Sequence, residues 1–195
     1  RAVPAPGPRL LEGVKVADFS AFVAGPLAAE VLADLGADVI KVEKFPDGDD
    51  SRRMVPPKVD GESAAYMILN RNKRGTAINL KSEAGRAILR RMLATADVVL
   101  ENFRPGTMEK LGLGYDTLRA ANPGLIYCQL TGFGSTGPYA DRAGFDLIAQ
   151  GMSGLMSVTG FPGQGPMRTG AAIADVTAGL FAALGILTAL LERQV

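Results

Sequence analysis

Along the first two thirds of the chain, short runs with strand-like alternation of apolar and polar positions take turns with stretches of helical periodicity. "VKVADF" at 14–19 predicts a strand, Gly25 and Pro26 open the helical "PLAAEVLADLG", and "ADVIKVE" predicts a second strand. The alternation continues through "GTAINL", a helix over 82–94, "DVVLENF", the helical "YDTLRAAN" and "GLIYCQLTG". Repeated βαβ units predict an α/β fold with a Rossmann-like open parallel sheet flanked by helices.

Sheets of this kind bind ligands beyond the carboxyl ends of their strands, so the segments that follow the strands hold the candidate chemistry. The segment 45–61, "FPDGDDSRRMVPPKVDG", is long, charged and Pro-rich, and we expect it to carry function or to cover a partner. "GFGSTG" at 132–137 matches G-x-G-x-x-G. A dinucleotide fingerprint follows the first strand, whereas this match comes late and precedes Pro138, so a nicotinamide enzyme is the less favoured alternative.

One carboxylate, Asp175, stands in an otherwise uncharged run over 170–190. An unpaired carboxylate among apolar side chains is costly unless its pKa rises or the site has a use for it. A transmembrane helix is disfavoured, because the uncharged part over 176–191 has 16 residues and a span needs roughly 20. In the other structural interpretation, Asp175 is the N-cap of a helix over 176–193.

The residue inventory narrows the chemistry further. The chain has no histidine, which excludes Ser-His and Cys-His pairs and imidazole metal sites, and we predict no metal. The single cysteine, Cys128, lies in apolar "GLIYCQL" and is expected to be a buried structural thiol. It also fits a reducing compartment, the cytoplasm or, in a eukaryote, the mitochondrial matrix. The opening "RAVPAPGPR" has no signal-peptide core and indicates a loose lead-in.

Basic residues form three groups near the predicted strand ends. The net charge is only +1, so neither nucleic acid nor a membrane surface is expected as a partner, and any anion must be held locally. One group alone would be explained as a solvated face, but three at one sheet edge predict a site for a small polyanion. In "ENFRPG", Asn102 offers hydrogen bonds and Phe103 offers cover for a flat ring. The groups are Lys41, Lys44, Arg52 and Arg53; Arg71, Lys73 and Arg74; Arg104 and Lys110.

Several segments, in order, resemble the N-terminal half of the family III CoA-transferases. This group contains the formyl-CoA, succinyl-CoA and carnitine CoA-transferases, with the α-methylacyl-CoA racemases as a branch. The resemblance implies that residues 1–195 are the CoA-binding, Rossmann-like large domain of an interlocked-dimer fold. The segments are "LLEGVKVADFSAFVAGPLAAEVLADLGADVIKVEK", "NRNKRGTAINLK", "VVLENFRPGTMEKLGLGYDTL", "LTGFGSTGPYADRAGFDLIAQGMSGLMSVTG" and "RTGAAIADVTAGLFAALGILTALLER".

The resemblance further implies that Asp175 is the catalytic nucleophile. It would attack the thioester carbonyl of an acyl-CoA, form a mixed anhydride, and then carry CoA as an aspartyl thioester. A helix N-terminus beside it would keep it ionised. CoA and acyl-CoA are then substrates, with no tightly bound cofactor, and the second substrate is a small carboxylic acid.

The same resemblance assigns the binding residues. CoA would lie over Val23 and Ala24, and Phe133, Gly134 and Phe145 would belong to the substrate and active-site loop. Val23 stands where formyl-CoA transferases carry Gln, which argues against oxalate and formate as substrates. The nucleotide part of CoA would lie near Lys44, Arg71, Lys73, Arg74, Asn102, Phe103 and Lys110.

Two alternatives remain within the resemblance. The racemase branch shows Gly-His-Asp where this chain has Gly144-Phe145-Asp146, and Phe145 carries no proton, so transfer is favoured over racemisation. A CoA-binding module without catalysis is disfavoured, because Asp175 is present. The chain is about half the family length, so we expect a second half and a partner copy to cover the apolar helix over 176–193.

Overall fold

The computed structural model describes residues 9–194, and the predicted lead-in at 1–8 lies outside the described residues, as does position 195. Within the described part, strands and helices alternate as the sequence pattern predicts. The strands are β1 (Lys15–Asp18), β2 (Asp38–Lys44), β3 (Lys58–Val59), β4 (Glu62–Ser63), β5 (Arg74–Ile78), β6 (Val98–Glu101) and β7 (Ile126–Gln129). The helices are α1 (Ala24–Asp34), α2 (Ala64–Leu69), α3 (Glu83–Leu93), α4 (Thr107–Lys110), α5 (Tyr115–Ala121), α6 (Asp146–Met152) and α7 (Ile173–Glu192).

The main sheet has the order β5-β2-β1-β6-β7, and each of its described strand pairs is parallel. This confirms the predicted open α/β sheet. One face packs against α1 and α7, with Val39, Val98 and Ile186 in its core, and the other face packs against α3 and α5, with Leu89 and Val99 in its core. From β1, the next strands of this sheet along the chain, β2 and β5, are added on one side of the sheet, whereas β6 and β7 are added on the other side. The loops that follow β1 and β6 therefore border the crevice where such sheets bind ligands.

The segment 45–61 is more ordered than its composition suggests. It contains a 3-10 turn at Asp50–Arg53 and strand β3, which pairs with β4 in a small antiparallel hairpin. Asp49 connects this segment to the sheet: its carboxylate accepts a hydrogen bond from Lys41 Nζ at 2.7 Å, and its backbone N–H donates to Glu43 Oε2 at 2.8 Å. This segment is therefore held in place by buried polar side chains and not by a periodic pattern of apolar residues.

Helix α7 begins earlier than predicted. It starts at Ile173, so Asp175 lies in its first turn and is not the N-cap, which corrects the capping interpretation. The helix is long and apolar enough to span a bilayer by length and composition, so the argument from its length does not hold. One face packs against α1 through Gly179, Ala183 and Ile186, while Phe181 and Leu184 on other faces are exposed.

Candidate active site

A cavity of about 280 Å³ opens beyond the carboxyl ends of β6 and β7 and reaches the first turn of α7. The loops after those two strands supply most of its wall, and Asp175 lies on the side formed by α7. The topology therefore brings Asp175 to the predicted ligand-binding edge of the sheet. Of the predicted site residues, the cavity wall contains Ala24, Asn102, Phe103, Phe133, Phe145 and Asp175.

The carboxylate of Asp175 is half-buried, and its nearest cavity neighbours on α7 are Ala174 and Ala178. Burial, and then the negative charge of Asp146, raise the pKa of Asp175 above its ordinary value. The backbone N–H groups of Ala174 and Asp175, at the start of α7, donate to Asp146 Oδ1 at 2.9 and 3.3 Å. These first-turn amides serve another carboxylate, and the expectation that the helix start keeps Asp175 ionised stays a prediction.

Asn102 holds the loop that follows β1. Its Oδ1 accepts from Ala21 N–H at 2.9 Å and its Nδ2 donates to Ala21 C=O at 2.8 Å, so one amide satisfies both polar groups of one residue. Phe22, next in the chain, has φ +65°, and its N–H donates to Asp49 Oδ1 at 3.3 Å. A phenylalanine in the left-handed region is strained, so the backbone around it must be held on both sides. Val23 follows at the N-cap of α1 and is partly exposed, and Ala24 reaches the cavity.

The loop over 133–143 forms one rim of the cavity and is closed at its base. A β-carbon added at Gly132 would stand 2.4 Å from the Cα of Gly144, so the two backbones touch and neither position has room for a side chain. Within the loop, Phe133 packs edge-to-face on Tyr139 with ring centroids 5.6 Å apart, and the Arg142 guanidinium lies 4.1 Å from the centroid of the same ring.

Other predicted residues complete this rim or lie near it. Gly134 lies in the loop with φ +81°, a conformation that glycine adopts without strain. Phe145, at the N-cap of α6, is 66% exposed and presents its ring to the cavity. Cys128, on β7, is only partly buried; burial raises the pKa of its thiol to about 11, which agrees with a structural role.

The second basic group is largely engaged by acidic residues. The Lys73 ammonium is buried, lies 2.9 Å from Asp18 Oδ2, and also donates to Pro26 C=O. Arg71 pairs with Glu30 and Asp34 of α1. Arg74 pairs at 2.7 Å with Asp38, the first residue of β2.

The prediction that the three basic groups lie at one edge of the sheet is therefore wrong for Arg74, whose guanidinium lies at the amino end of the sheet. Lys44, at the carboxyl end of β2, makes an exposed pair with Asp50 at 2.7 Å. Lys110 ends α4 and is exposed. Of the three groups, the one that contains Arg104 supplies the guanidinium that lines the cavity.

Several residues of the cavity region were not predicted from the sequence to belong to a site. Arg142 lines the wall beside Arg104, and in the described residues neither makes an ion pair within 4 Å. Thr131 also lines it, and its buried hydroxyl has no hydrogen-bond partner among those residues. Asp146 lies behind the wall. The sequence signal for Asp146 is that Gln150 follows four residues later, a spacing that places the two side chains on the same face of a helix.

No group of three or more metal-ligating acidic or cysteine side chains occurs within residues 9–194. The wall offers two carboxylates, those of Asp141 and Asp175, together with guanidinium groups, an unpartnered hydroxyl and aromatic rings. Such a site suits covalent chemistry at an acyl carbon together with recognition of anionic groups.

Comparisons with known proteins agree on one family. Residues 11–195 match the model described as CoA-transferase family III. The chain is 50% identical over 190 residues to the succinate–glutarate CoA-transferase of Agrobacterium fabrum, covering 94% of this chain and 48% of that protein. It is 47% identical over 187 residues to the succinyl-CoA–D-citramalate CoA-transferase of Chloroflexus aurantiacus, covering 96% and 46%.

A solved structure is equally similar. The crystal structure of a CaiB/BaiF family protein from Brucella suis superposes with a TM-score of 0.89 at 49% identity, covering 94% of this chain and 49% of that one. The chain thus spans about half the length of the relatives it matches.

Proposed function

Since this chain belongs to CoA-transferase family III, we propose that it supplies the CoA site and the nucleophile of an enzyme that moves CoA from an acyl-CoA thioester to a free carboxylic acid. The observation that carries the proposal is Asp175: a half-buried carboxylate with a raised pKa, on the wall of a cavity at the ligand-binding edge of the sheet. A poorly solvated carboxylate is a better nucleophile than a hydrated one, and the alanines beside it leave room for an acyl group.

Four exchanges at acyl carbons complete the reaction, and no external oxidant or reductant enters. Asp175 attacks the thioester carbonyl and CoA thiolate leaves, giving a mixed anhydride. The thiolate attacks the aspartyl carbonyl, which releases the donor acid and leaves an aspartyl-CoA thioester. The acceptor carboxylate attacks that thioester and expels the thiolate, and the thiolate then attacks the acceptor acyl carbon, freeing Asp175 and the new acyl-CoA.

We propose small dicarboxylic acids as the acyl groups. The two curated relatives described above are named for succinate, glutarate and citramalate, which are dicarboxylic acids. In this chain Arg104 and Arg142 line the cavity that contains Asp175. When one carboxylate of such an acid reacts at Asp175, a guanidinium on the same wall is suited to hold the other. Phe145 leaves no proton-transfer group at the position where the racemase branch has its histidine.

The proposed active enzyme also contains a second half and a second copy of the chain. Two observations support this: the relatives are about twice as long as the aligned region, and α7 exposes Phe181 and Leu184 beside its buried face. Exposed apolar patches of this kind mark surfaces that another segment covers.

The test uses the full-length protein with succinyl-CoA and glutarate. Asp175→Asn should abolish formation of glutaryl-CoA while leaving the Kd for CoA within about threefold, because a neutral isostere keeps the shape but cannot attack. Hydroxylamine added during turnover should convert Asp175 to a hydroxamate, read by peptide mass. Asp116→Asn, an exposed aspartate in the first turn of α5, is the matched control and should keep full activity.

Each other result has a defined meaning. Turnover by Asp175→Asn would refute the assignment of Asp175 as the nucleophile. Exchange of the α-proton in D₂O without transfer would favour a racemase, and CoA binding without either reaction would favour a binding module. Protection against heat by NAD, and not by CoA, would favour a nicotinamide enzyme.

A further inference from the structure

The first turn of α7 is capped from a different helix. Asp146, at the start of α6, accepts hydrogen bonds at Oδ1 from the backbone N–H groups of Ala174 at 2.9 Å and Asp175 at 3.3 Å. Ala172, at the N-cap position of α7, has no side-chain acceptor to offer these amides. The orphan donors of a helix start are usually satisfied by a side chain of the preceding residue. Here a carboxylate 28 residues away in sequence takes that place.

A second side chain fixes the direction of this cap. Gln150, one turn further along α6 and 1% exposed, donates from Nε2 to Asp146 Oδ2 at 2.6 Å. Its Oε1 accepts from Thr169 N–H at 2.9 Å, so the same pair also binds the chain before α7 begins. Asp146 and Gln150 together hold the segment 169–175 at both ends.

We propose that Asp146 is a positioning residue for Asp175: supported by Gln150, it fixes the first turn of α7 and places a negative charge against the backbone of the nucleophile. The proposal rests on the proposed role of Asp175 in the transfer reaction. Asp146 does not line the described cavity wall, and it acts through Asp175.

The position of this charge has a chemical consequence. When Asp175 forms the anhydride or the CoA thioester, its own negative charge disappears, and so does its repulsion with Asp146. The free carboxylate is therefore destabilised relative to both covalent intermediates. The other charged residues that line the cavity with Asp175 are Arg104, Arg142 and Asp141. Among these charges, Asp146 is the one that raises the pKa of Asp175, and it lies against the backbone of Asp175.

The experiment compares three variants of the full-length enzyme, with hydroxylamine-trapped acyl-Asp175 in single turnovers of succinyl-CoA as the readout. Asp146→Ala removes cap and charge. Asp146→Asn keeps an oxygen for the two backbone amides but loses the charge. Its new N–H₂ group faces the N–H₂ group of Gln150, so the hydrogen bond between the two side chains is lost. The double variant combines Asp146→Asn with Gln150→Glu, so that the new amide at position 146 donates to the new carboxylate at position 150. That carboxylate can still accept from Thr169 N–H.

Asp146→Ala should slow acylation on the order of 10²-fold, because small displacements of a reacting group cost about that much, with the Kd for CoA unchanged within about twofold. Asp146→Asn should shift the acid limb of the rate profile to lower pH, because the loss of a neighbouring negative charge lowers the pKa of Asp175. The double variant should recover most of the rate of acylation. Asp116→Asn is the control for loss of an aspartate at a helix start.

Three results would overturn the proposal: acylation by Asp146→Ala within about threefold of the parent, an unmoved acid limb in Asp146→Asn, or a double variant no faster than Asp146→Ala. Because Asp146→Asn and the double variant preserve acceptors for the helix amides, they test the idea even where Asp146→Ala unfolds. Absence of an Asp175 adduct in the parent enzyme would instead refute the proposed function.

Discussion

Gly179 of α7 lies against the backbone of Ala24 in α1: a β-carbon at Gly179 would stand 2.6 Å from the Ala24 carbonyl oxygen. The contact joins the helix that carries Asp175 to the helix whose first residue lines the cavity. Both helices can approach this closely only because position 179 has no side chain. Their spacing therefore sets the width of the site as well as the packing of the core.

Gly179→Ala should destabilise the protein although alanine favours helices. The new methyl group meets backbone, which cannot move aside as a side chain would, and overpacking of this kind costs about 1 to 3 kcal/mol. The matched control is Gly185→Ala, in the same helix with nothing within 4 Å of the added carbon, which should gain about 0.5 to 1 kcal/mol. Urea unfolding of both variants measures the difference, and equal stability would contradict the close crossing.

Lys73→Met should destabilise the fold strongly, whatever its effect on CoA. Burial lowers the pKa of Lys73, and its ammonium is held by Asp18, whose carboxylate also accepts from Ser20 N–H at 2.9 Å. Removing one partner of a buried pair leaves an uncompensated charge and costs about 3 to 5 kcal/mol. The exposed neighbour Arg74 provides the control, since Arg74→Gln should cost less than about 1 kcal/mol. A Lys73→Met protein as stable as Arg74→Gln would show that this ammonium is not buried in a pair.

Glu43 should make the fold acid-sensitive in a defined window. Burial, the largest influence, raises its pKa, but hydrogen bonds from Arg52, from Asp49 N–H and from Tyr66 outweigh it and lower the pKa from 4.5 to about 2. A depressed folded-state pKa stabilises the protein above the unfolded value, and that contribution is lost as pH falls from about 4.5 to about 2. The loss is on the order of 3 kcal/mol.

Urea unfolding across that range measures the slope. Glu43→Gln should flatten it and lower the stability at neutral pH, because the Arg52 guanidinium loses its carboxylate. Glu62→Gln is the control, since Glu62 is exposed and lies 3.8 Å from the same arginine. A slope unchanged by Glu43→Gln would assign the acid sensitivity to other carboxylates.

Asn102→Ala should loosen the loop after β1 and weaken CoA binding. The substitution removes both hydrogen bonds to Ala21 and leaves its polar groups without their partner, at a cost of about 1 to 3 kcal/mol. Faster hydrogen exchange at Ala21 and Phe22 and a higher Kd for CoA are the expected results. Asn122→Ala removes an amide that donates to Ala96 C=O away from the cavity, and it should leave CoA binding unchanged. Equal losses of CoA affinity in both variants would contradict a specific role for Asn102.

Local signals made much of the fold predictable. Helix α3 runs over Glu83–Leu93, within one residue of the predicted 82–94 at each end. Ser82 caps it by accepting from Gly85 N–H at 3.1 Å, and its apolar residues recur at helical spacing. Strands β3 and β4 escaped prediction because each has two residues, too few for any alternation to show.

The site was predictable where one residue carries the chemistry and unpredictable where two distant residues share it. Asp175 stands out because it is the charge in an apolar run. Its cap at Asp146 depends on the packing of α6 against α7, and no local pattern records a contact between residues 29 positions apart. The partners of Lys73 were hidden for the same reason: Asp18 is 55 positions away.

The touching backbones of Gly132 and Gly144 separate the rim loop from the rest of the fold. Because the loop leaves and returns at one point, its intervening residues can change in sequence or number while β7 and α6 keep their places. Phe133 and Arg142 would be replaced together with such a loop, and Asp175 would not move. With its base closed, the loop is a modular segment: its replacement would remodel one rim of the cavity and leave the position of Asp175 unchanged.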